Sequence, residues 1–164
     1  HMNLDQDIIT KSLENQKKYK YMKAALKEAE KAMLVNEVPV GAIVVYNDKI
    51  IARAHNIRES KQIIHGHAEF LAMMKAAKKI GSWRLEDCDI YVTMEPCPMC
   101  AGAMIQSRIR KVYYGVKDYK SGVAESICKL FDLPFNHRVQ TEGLLMHKES
   151  EILLKTFFKK LRKK

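Results

Sequence analysis

Two short segments constrain the fold of this 164-residue chain more than anything else in it: His67-Ala68-Glu69, and Pro96-Cys97-Pro98-Met99-Cys100, whose first cysteine follows His67 by 30 residues. An imidazole and two thiolates can hold a zinc ion between them and leave its fourth position open. A glutamate two residues from the histidine can handle protons for whatever takes that position. Three protein ligands with one open position is the arrangement of a catalytic zinc, whereas a closed structural site needs a fourth protein ligand. The chain has no second Cys-x-x-Cys. Any fold for it must bring these two segments together.

The spacings show how. Ala68 to Ala77 reads as a helix, with Phe70, Leu71, Met74 and Ala77 as its apolar stripe. His67 and Glu69 fall in its first turn. Residues two apart lie about 200° around a helix, so both can edge one pocket only where the helix begins. Asp89 to Met94, rich in β-branched and aromatic residues, reads as a strand leading to the cysteines. Ala101-Gly102-Ala103-Met104-Ile105 reads as a buried helix after them. Pro96 and Pro98 suit the entry to that helix, where a missing N–H costs little. Cys97 and Cys100, three apart, stack on one face, and a helix N-terminus favours thiolates. Two strand-to-helix junctions thus each present ligands at a helix start.

Taken singly, the Cys-x-x-Cys is also compatible with a redox dithiol, and the histidine with a helix cap. Together with the glutamate and the prolines in register, they match the signature of the zinc-dependent nucleobase deaminases.

Elsewhere the chain shows no repeat, low-complexity stretch or linker. Residues 1–18 read as a lead-in, with His1 before Met2 a cloning remnant and 3–16 a polar, frayed extension; residues 19–164 read as one domain. Tyr19 to Val35 has helical periodicity in Met22, Ala25, Leu26, Ala29 and Met33. Pro39–Tyr46 and Lys49–Ala54 form a hairpin across Asn47-Asp48. Lys111–Val116 is a fourth strand, Lys117–Phe131 a loop with a short helix, Arg138–Thr141 a short fifth strand, and Glu149–Leu161 the last helix. Helices alternate with the third and fourth strands, so that part of the sheet is expected to be parallel. The fold class is α/β: a mixed sheet sandwiched between helices.

No apolar run approaches the ~20 residues that span a bilayer. The polar start does not read as a secretory leader, and a cytoplasmic location is expected. Cys88 and Cys128 are expected to be reduced, buried thiols. The formal net charge is +10, which favours a polyanionic partner over the bland reading of solvated lysines on every face. Lys17, Lys18, Lys20 and Lys23 crowd the N-terminal segment, and Arg108, Arg110 and Lys111 follow the cysteine helix. In the last helix Leu153, Phe157 and Leu161 form an apolar stripe, with Lys155, Lys159, Arg162 and Lys163 on another face.

From about Lys20 to Lys160 the chain resembles the bacterial tRNA-specific adenosine deaminase family of the cytidine deaminase-like superfamily. The likeness runs through Glu37-Val38-Pro39-Val40-Gly41-Ala42, Asn56, His67-Ala68-Glu69 and the stretch Tyr91–Ala103 with its Thr-Met-Glu-Pro-Cys-Pro-Met-Cys core. It continues in Ser107-Arg108-Ile109, Tyr114-Gly115-Val116-Lys117-Asp118 and Asn136-His137-Arg138-Val139. The resemblance implies a three-layer α/β/α fold with a mixed five-stranded sheet, a homodimer, and one zinc per subunit on His67, Cys97 and Cys100. It implies hydrolysis of a cyclic amidine C–N bond, adenosine to inosine, at the tRNA wobble position, with Glu69 moving protons between water, N1 and the leaving ammonia. Asn56 carries over as a hydrogen-bond partner of the target nucleoside, Val40 and Ile43 as walls of the base pocket, Asp118 as a neighbour of the anticodon-loop backbone, and Asn136 and Arg138 as further substrate contacts.

The chain departs from the family pattern at Ile63-Ile64-His65-Gly66, where members usually carry Asp-Pro-x-Ala, and His65 reads as a loop residue or a base or phosphate contact. The lead-in is a second departure. Two alternatives use the same residues: a small-molecule deaminase of guanine, cytosine or a free nucleoside, and a non-catalytic RNA-binding subunit that keeps zinc for structure.

Overall fold

The computed structural model describes residues 2–163, so His1 and Lys164 lie outside the described residues. A helix α1 (Met2–Leu34) leads to the hairpin β1 (Gly41–Tyr46) and β2 (Lys49–His55), then a short helix α2 (Arg58–Lys61) and α3 (Ala68–Ile80). β3 (Cys88–Met94), α4 (Pro98–Gln106) and β4 (Lys111–Val116) follow. A 3₁₀ turn (Leu130–Asp132), β5 (Gln140–Glu142) and α5 (His147–Arg162) complete the chain.

Alternation along the strands decides the layering. Ala42, Val44, Ile90, Val92, Val112 and Tyr114 point to one face, where Ala68, Ala72, Ala76, Ala101, Met104 and Ile105 of α3 and α4 cover them. Ile43, Val45, Tyr91 and Tyr113 point to the other, against Tyr21, Met22, Ala25 and Leu26 of α1 and Leu153 of α5. Both faces are buried, which is why the central strands read as near-continuous apolar runs. The order is β2-β1-β3-β4-β5. β1 is antiparallel to both β2 and β3, whereas β3, β4 and β5 are parallel. This is the expected mixed five-stranded sheet in three layers, parallel where helices intervene. The hairpin turns on Asn47 and Asp48 at φ 50° and 60°, the left-handed pair that a two-residue turn demands.

Several boundaries differ from expectation. α1 does not begin at Tyr19: the segment expected to fray is helical from Met2, since no glycine or proline interrupts it before Asn36 ends it at φ 58°. Leu4, Ile8, Ile9 and Leu13 on that extension are exposed. β5 lies at Gln140–Glu142, two residues later than expected, and α5 starts earlier, at His147. The stripe on α5 does not stay in the core, as Leu161 is exposed. Cys88 and Cys128 are free thiols, but only Cys88 is buried. Among the described residues no helix is long and apolar enough to cross a membrane.

Candidate metal centre and pocket

His67 and Cys97 occupy equivalent places. Each is the extended residue that caps a helix: His67 that of α3 (φ −87°, ψ 140°), Cys97 that of α4 (φ −80°, ψ 173°). Pro98 opens α4, and Cys100 sits one turn in, on the same face as Cys97. α3 and α4 cover the same face of the sheet, so the two caps meet. His67 Nδ1 lies 3.5 Å from Cys97 Sγ and 3.5 Å from Cys100 Sγ, and the three donor atoms fall within 4.8 Å of one another. Tetrahedral bonds of ~2.3 Å to sulfur and ~2.05 Å to nitrogen would set those atoms ~3.6 Å apart. The donor set and its spacing therefore fit a tetrahedral, thiophilic metal. Among the described residues no fourth ligand joins the group, and His65 is not part of it; its ring packs instead on Phe70, centroids 5.8 Å apart.

The electrostatics suit a cation. Hydrogen bonding from the Cys100 thiol, with help from His67, pulls Cys97 down to about 4, while that same pairing and burial push Cys100 upward. A dication held by Cys97 and Cys100 would let both thiols ionise. The imidazole of His67 is held upward mainly by its bond to Cys97. Glu69 is 4% exposed, and burial pushes its carboxyl up to about 7.

His67, Glu69 and Cys97 line a cavity of about 200 Å³ together with Val40, Asn56, Arg58, Met94, Asp118 and Ser121. The structure thus brings together Val40, Asn56, His67, Glu69, Cys97, Cys100 and Asp118. Asn56 Oδ1 accepts the N–H of Ala68 at 2.8 Å, capping α3 from across the loop and leaving Nδ2 as what Asn56 can offer the cavity. Asp118 accepts from the Lys120 and Ser121 N–H groups and the Ser121 hydroxyl, which fixes its own turn at the rim. Ile43 does not line the cavity: it is fully buried on the opposite sheet face, because it is one residue out of phase with Ala42 and Val44. Asn136 and Arg138 are exposed and precede β5, at the end of the parallel strands away from the cysteines; between them His137 Nε2–H donates to Ile109 O at 2.6 Å.

Sequence reasoning missed Arg58, Ser121 and two buried carboxylates that also line the cavity, Glu37 (2% exposed) and Glu95 (3% exposed). A signal existed: each is a charge set beside a strand in a run that is otherwise apolar or β-branched. Hydrogen bonds from the Ser126 hydroxyl and from loop N–H groups overcome the opposing effect of burial and hold the Glu95 carboxyl below its usual range. The Ile63–Gly66 departure also has a geometry. A Cβ at Gly66 would lie 2.5 Å from Arg58 Cα, so the residue before His67 must be this small to let α2 pack beneath it.

A larger cavity of about 440 Å³ opens between α1 and the far end of the sheet. Its cations are matched by carboxylates: Lys17 with Asp48, Lys18 and Lys111 with Glu142, Arg110 with Asp89.

Residues 16–162 match the family model of MafB19-like deaminases. Curated relatives include the tRNA-specific adenosine deaminases of Bacillus subtilis, 48% identical over 88% of this chain and 90% of that protein, and of Aquifex aeolicus, 45% identical over 87% and 94%. A solved structure from a study of A-to-I editing by tRNA:A34 deaminases superposes with a TM-score of 0.79 at 38% identity, covering 82% of this chain and 98% of that one. A guanine deaminase from Bacillus subtilis superposes less closely, with a TM-score of 0.59 at 31% identity over 73% and 79%. By these likenesses the chain belongs to the tRNA-specific adenosine deaminase family.

Proposed function

We propose that this chain is a zinc-dependent hydrolase that converts adenosine to inosine at the wobble position of tRNA. The observation that carries the reading is the convergence of His67, Cys97 and Cys100 beside a buried Glu69, in a cavity open to solvent, in a chain this similar to proteins named for that reaction. His67, Cys97 and Cys100 would hold the zinc. When bound, zinc supplies Lewis acidity that brings the ionisation of water from 15.7 toward ~7.

The rest is the work of the chain's own residues. Burial gives Glu69 a proton affinity near neutrality, where a carboxyl both accepts and returns a proton. Glu69 takes the proton of water and delivers it to N1 of adenine. With the water oxygen now bonded to C6, Glu69 takes that oxygen's remaining proton and passes it to the C6 amine; the C–N bond breaks, ammonia leaves and the C6 carbonyl of inosine forms. Asn56 Nδ2 is the donor offered to the nucleoside, Val40 gives the base an apolar wall, and Asp118 stands at the rim. A net charge of +10 and the exposed lysines of α5 favour a phosphate backbone as partner. A tRNA substrate supports a cytoplasmic location.

A homodimer belongs to the same reading. Phe70, Met73, Met74, Ala77, Trp83 and Leu85 line an apolar recess beside α3 and α4, with Trp83 57% and Met74 49% exposed. Exposed apolar side chains gathered at one recess support that reading.

The guanine deaminase likeness supports a competing small-molecule reading, and one comparison separates the two. Offered an anticodon stem-loop, guanine and cytidine in parallel, the enzyme is expected to form inosine in the stem-loop and leave the free compounds untouched. Turnover of guanine or cytidine without inosine would overturn the proposal.

A further inference from the structure

Two of the three buried carboxylates that line the cavity, Glu37 and Glu95, take no part in holding metal or in moving protons. Each is instead wrapped by backbone donors from a wall of that cavity. Glu37 lies between α1 and β1 and reaches across to α2, accepting the N–H of Glu59 at 3.1 Å and of Ser60 at 2.5 Å. α2 belongs to the loop that runs from Asn56 to His67, and Ile57 N–H donates to Gly66 O at 2.9 Å to close it.

Glu95 lies between β3 and Cys97 and gathers the loop after β4. Its Oε1 accepts the Asp118 N–H at 3.0 Å and the Ser126 hydroxyl. Its Oε2 accepts the N–H groups of Ala124, Glu125 and Ser126 at 3.0, 2.9 and 2.9 Å. Val123 N–H adds a bond to Pro96 O at 3.0 Å. Gly122 is required here, because a Cβ would lie 2.3 Å from Glu95 Cδ.

We propose that Glu37 and Glu95 are positioning residues, a pair of buried acceptors that hold the two walls of the pocket at the separation the nucleotide needs. Glu37 sets the wall that carries Asn56 and Arg58; Glu95 sets the wall that carries Asp118 and Ser121. The inference rests on the deaminase reading above. A carboxylate suits the role because it only accepts, over about four lone-pair sites. A glutamine would turn an NH₂ group toward N–H donors at either clamp.

The test is steady-state kinetics on an anticodon stem-loop, with zinc per chain measured on the same samples, for the wild type, Glu37→Gln and Glu95→Gln. Each variant is expected to keep its zinc and to raise KM about tenfold with kcat within about threefold, the signature of lost binding geometry. A general weakening of the fold would instead lower the active fraction, dropping kcat at unchanged KM. That result, or loss of zinc, overturns the inference. Should Glu95→Gln fail to fold, Ser126→Ala removes one donor from the same clamp and is expected to raise KM about threefold at constant kcat; unchanged KM overturns it equally. A wild type that forms no inosine overturns the functional reading and this inference with it. A wild type that forms inosine beside variants with wild-type KM overturns this inference alone.

Discussion

In the proposed function Asn56 has two tasks on two different atoms, so substitution can separate them. Its Oδ1 caps α3 through the 2.8 Å bond to Ala68 N–H, and the proposal assigns its remaining Nδ2 donor to the nucleoside in the cavity that Asn56 lines. Asn56→Ala removes both. Loss of the cap costs about 1 kcal/mol, which for a chain of this length lowers Tm by roughly 2–4 °C. Loss of the donor leaves a buried substrate acceptor unpaired, about 1–3 kcal/mol, or a fall of roughly 5- to 150-fold in kcat/KM. Asn56→Asp keeps an acceptor at the helix start, where a negative charge is favoured, and removes the donor. Thermal melts together with kcat/KM on a stem-loop give the outcome. The expected pattern is a destabilised, weakly active Asn56→Ala beside a stable Asn56→Asp that is at least as inactive. An Asn56→Asp enzyme of wild-type activity would refute the donor role. One as unstable as Asn56→Ala would refute the cap.

Other substitutions test other links. Glu69→Ala is expected to bind zinc as the wild type does and to lose about 10²–10⁴-fold in kcat; retained activity would show that the protons travel by another route. His67→Ala or Cys97→Ala breaks the donor set itself, so metal analysis should find zinc lost along with turnover, and a variant still holding one zinc per chain contradicts the assignment. The depressed Glu95 carboxyl sets a pH dependence. A group lowered on folding contributes stability that is complete above its unfolded value of about 4.3 and is lost as pH falls through its folded value. The Tm advantage of wild type over Glu95→Gln should therefore shrink on acidification below about pH 4, and a gap independent of pH contradicts that.

How much of this was legible in the sequence depended on periodicity. Near-continuous apolar and β-branched runs in Ala42–Val45 and Ile90–Val92 marked strands buried on both faces, and period-three-and-four spacing in Met22–Ala29 marked the buried stripe of α1. The metal donors were legible because thiols and imidazoles at fixed spacing have few other uses. Contacts made through the backbone left no such trace. α2 has no buried residue and rests on Glu37 and Gly66, so no apolar pattern announces it. The resemblance placed Ile43 in the pocket beside Val40, and the pleat sends it to the other face. Asn136 and Arg138 fall at the far end of β4 because β5 pairs in parallel with β4, a register that the sequence does not display.

The central claim concerns the target base. Incubation of the zinc-loaded enzyme with total tRNA, followed by sequencing, reads it directly, with the Glu69→Ala enzyme as control. The account predicts adenosine-to-inosine conversion confined to the first anticodon position in the wild-type sample and absent from the control. No conversion in tRNA by an enzyme that carries its zinc, or conversion that persists in the control, would contradict it.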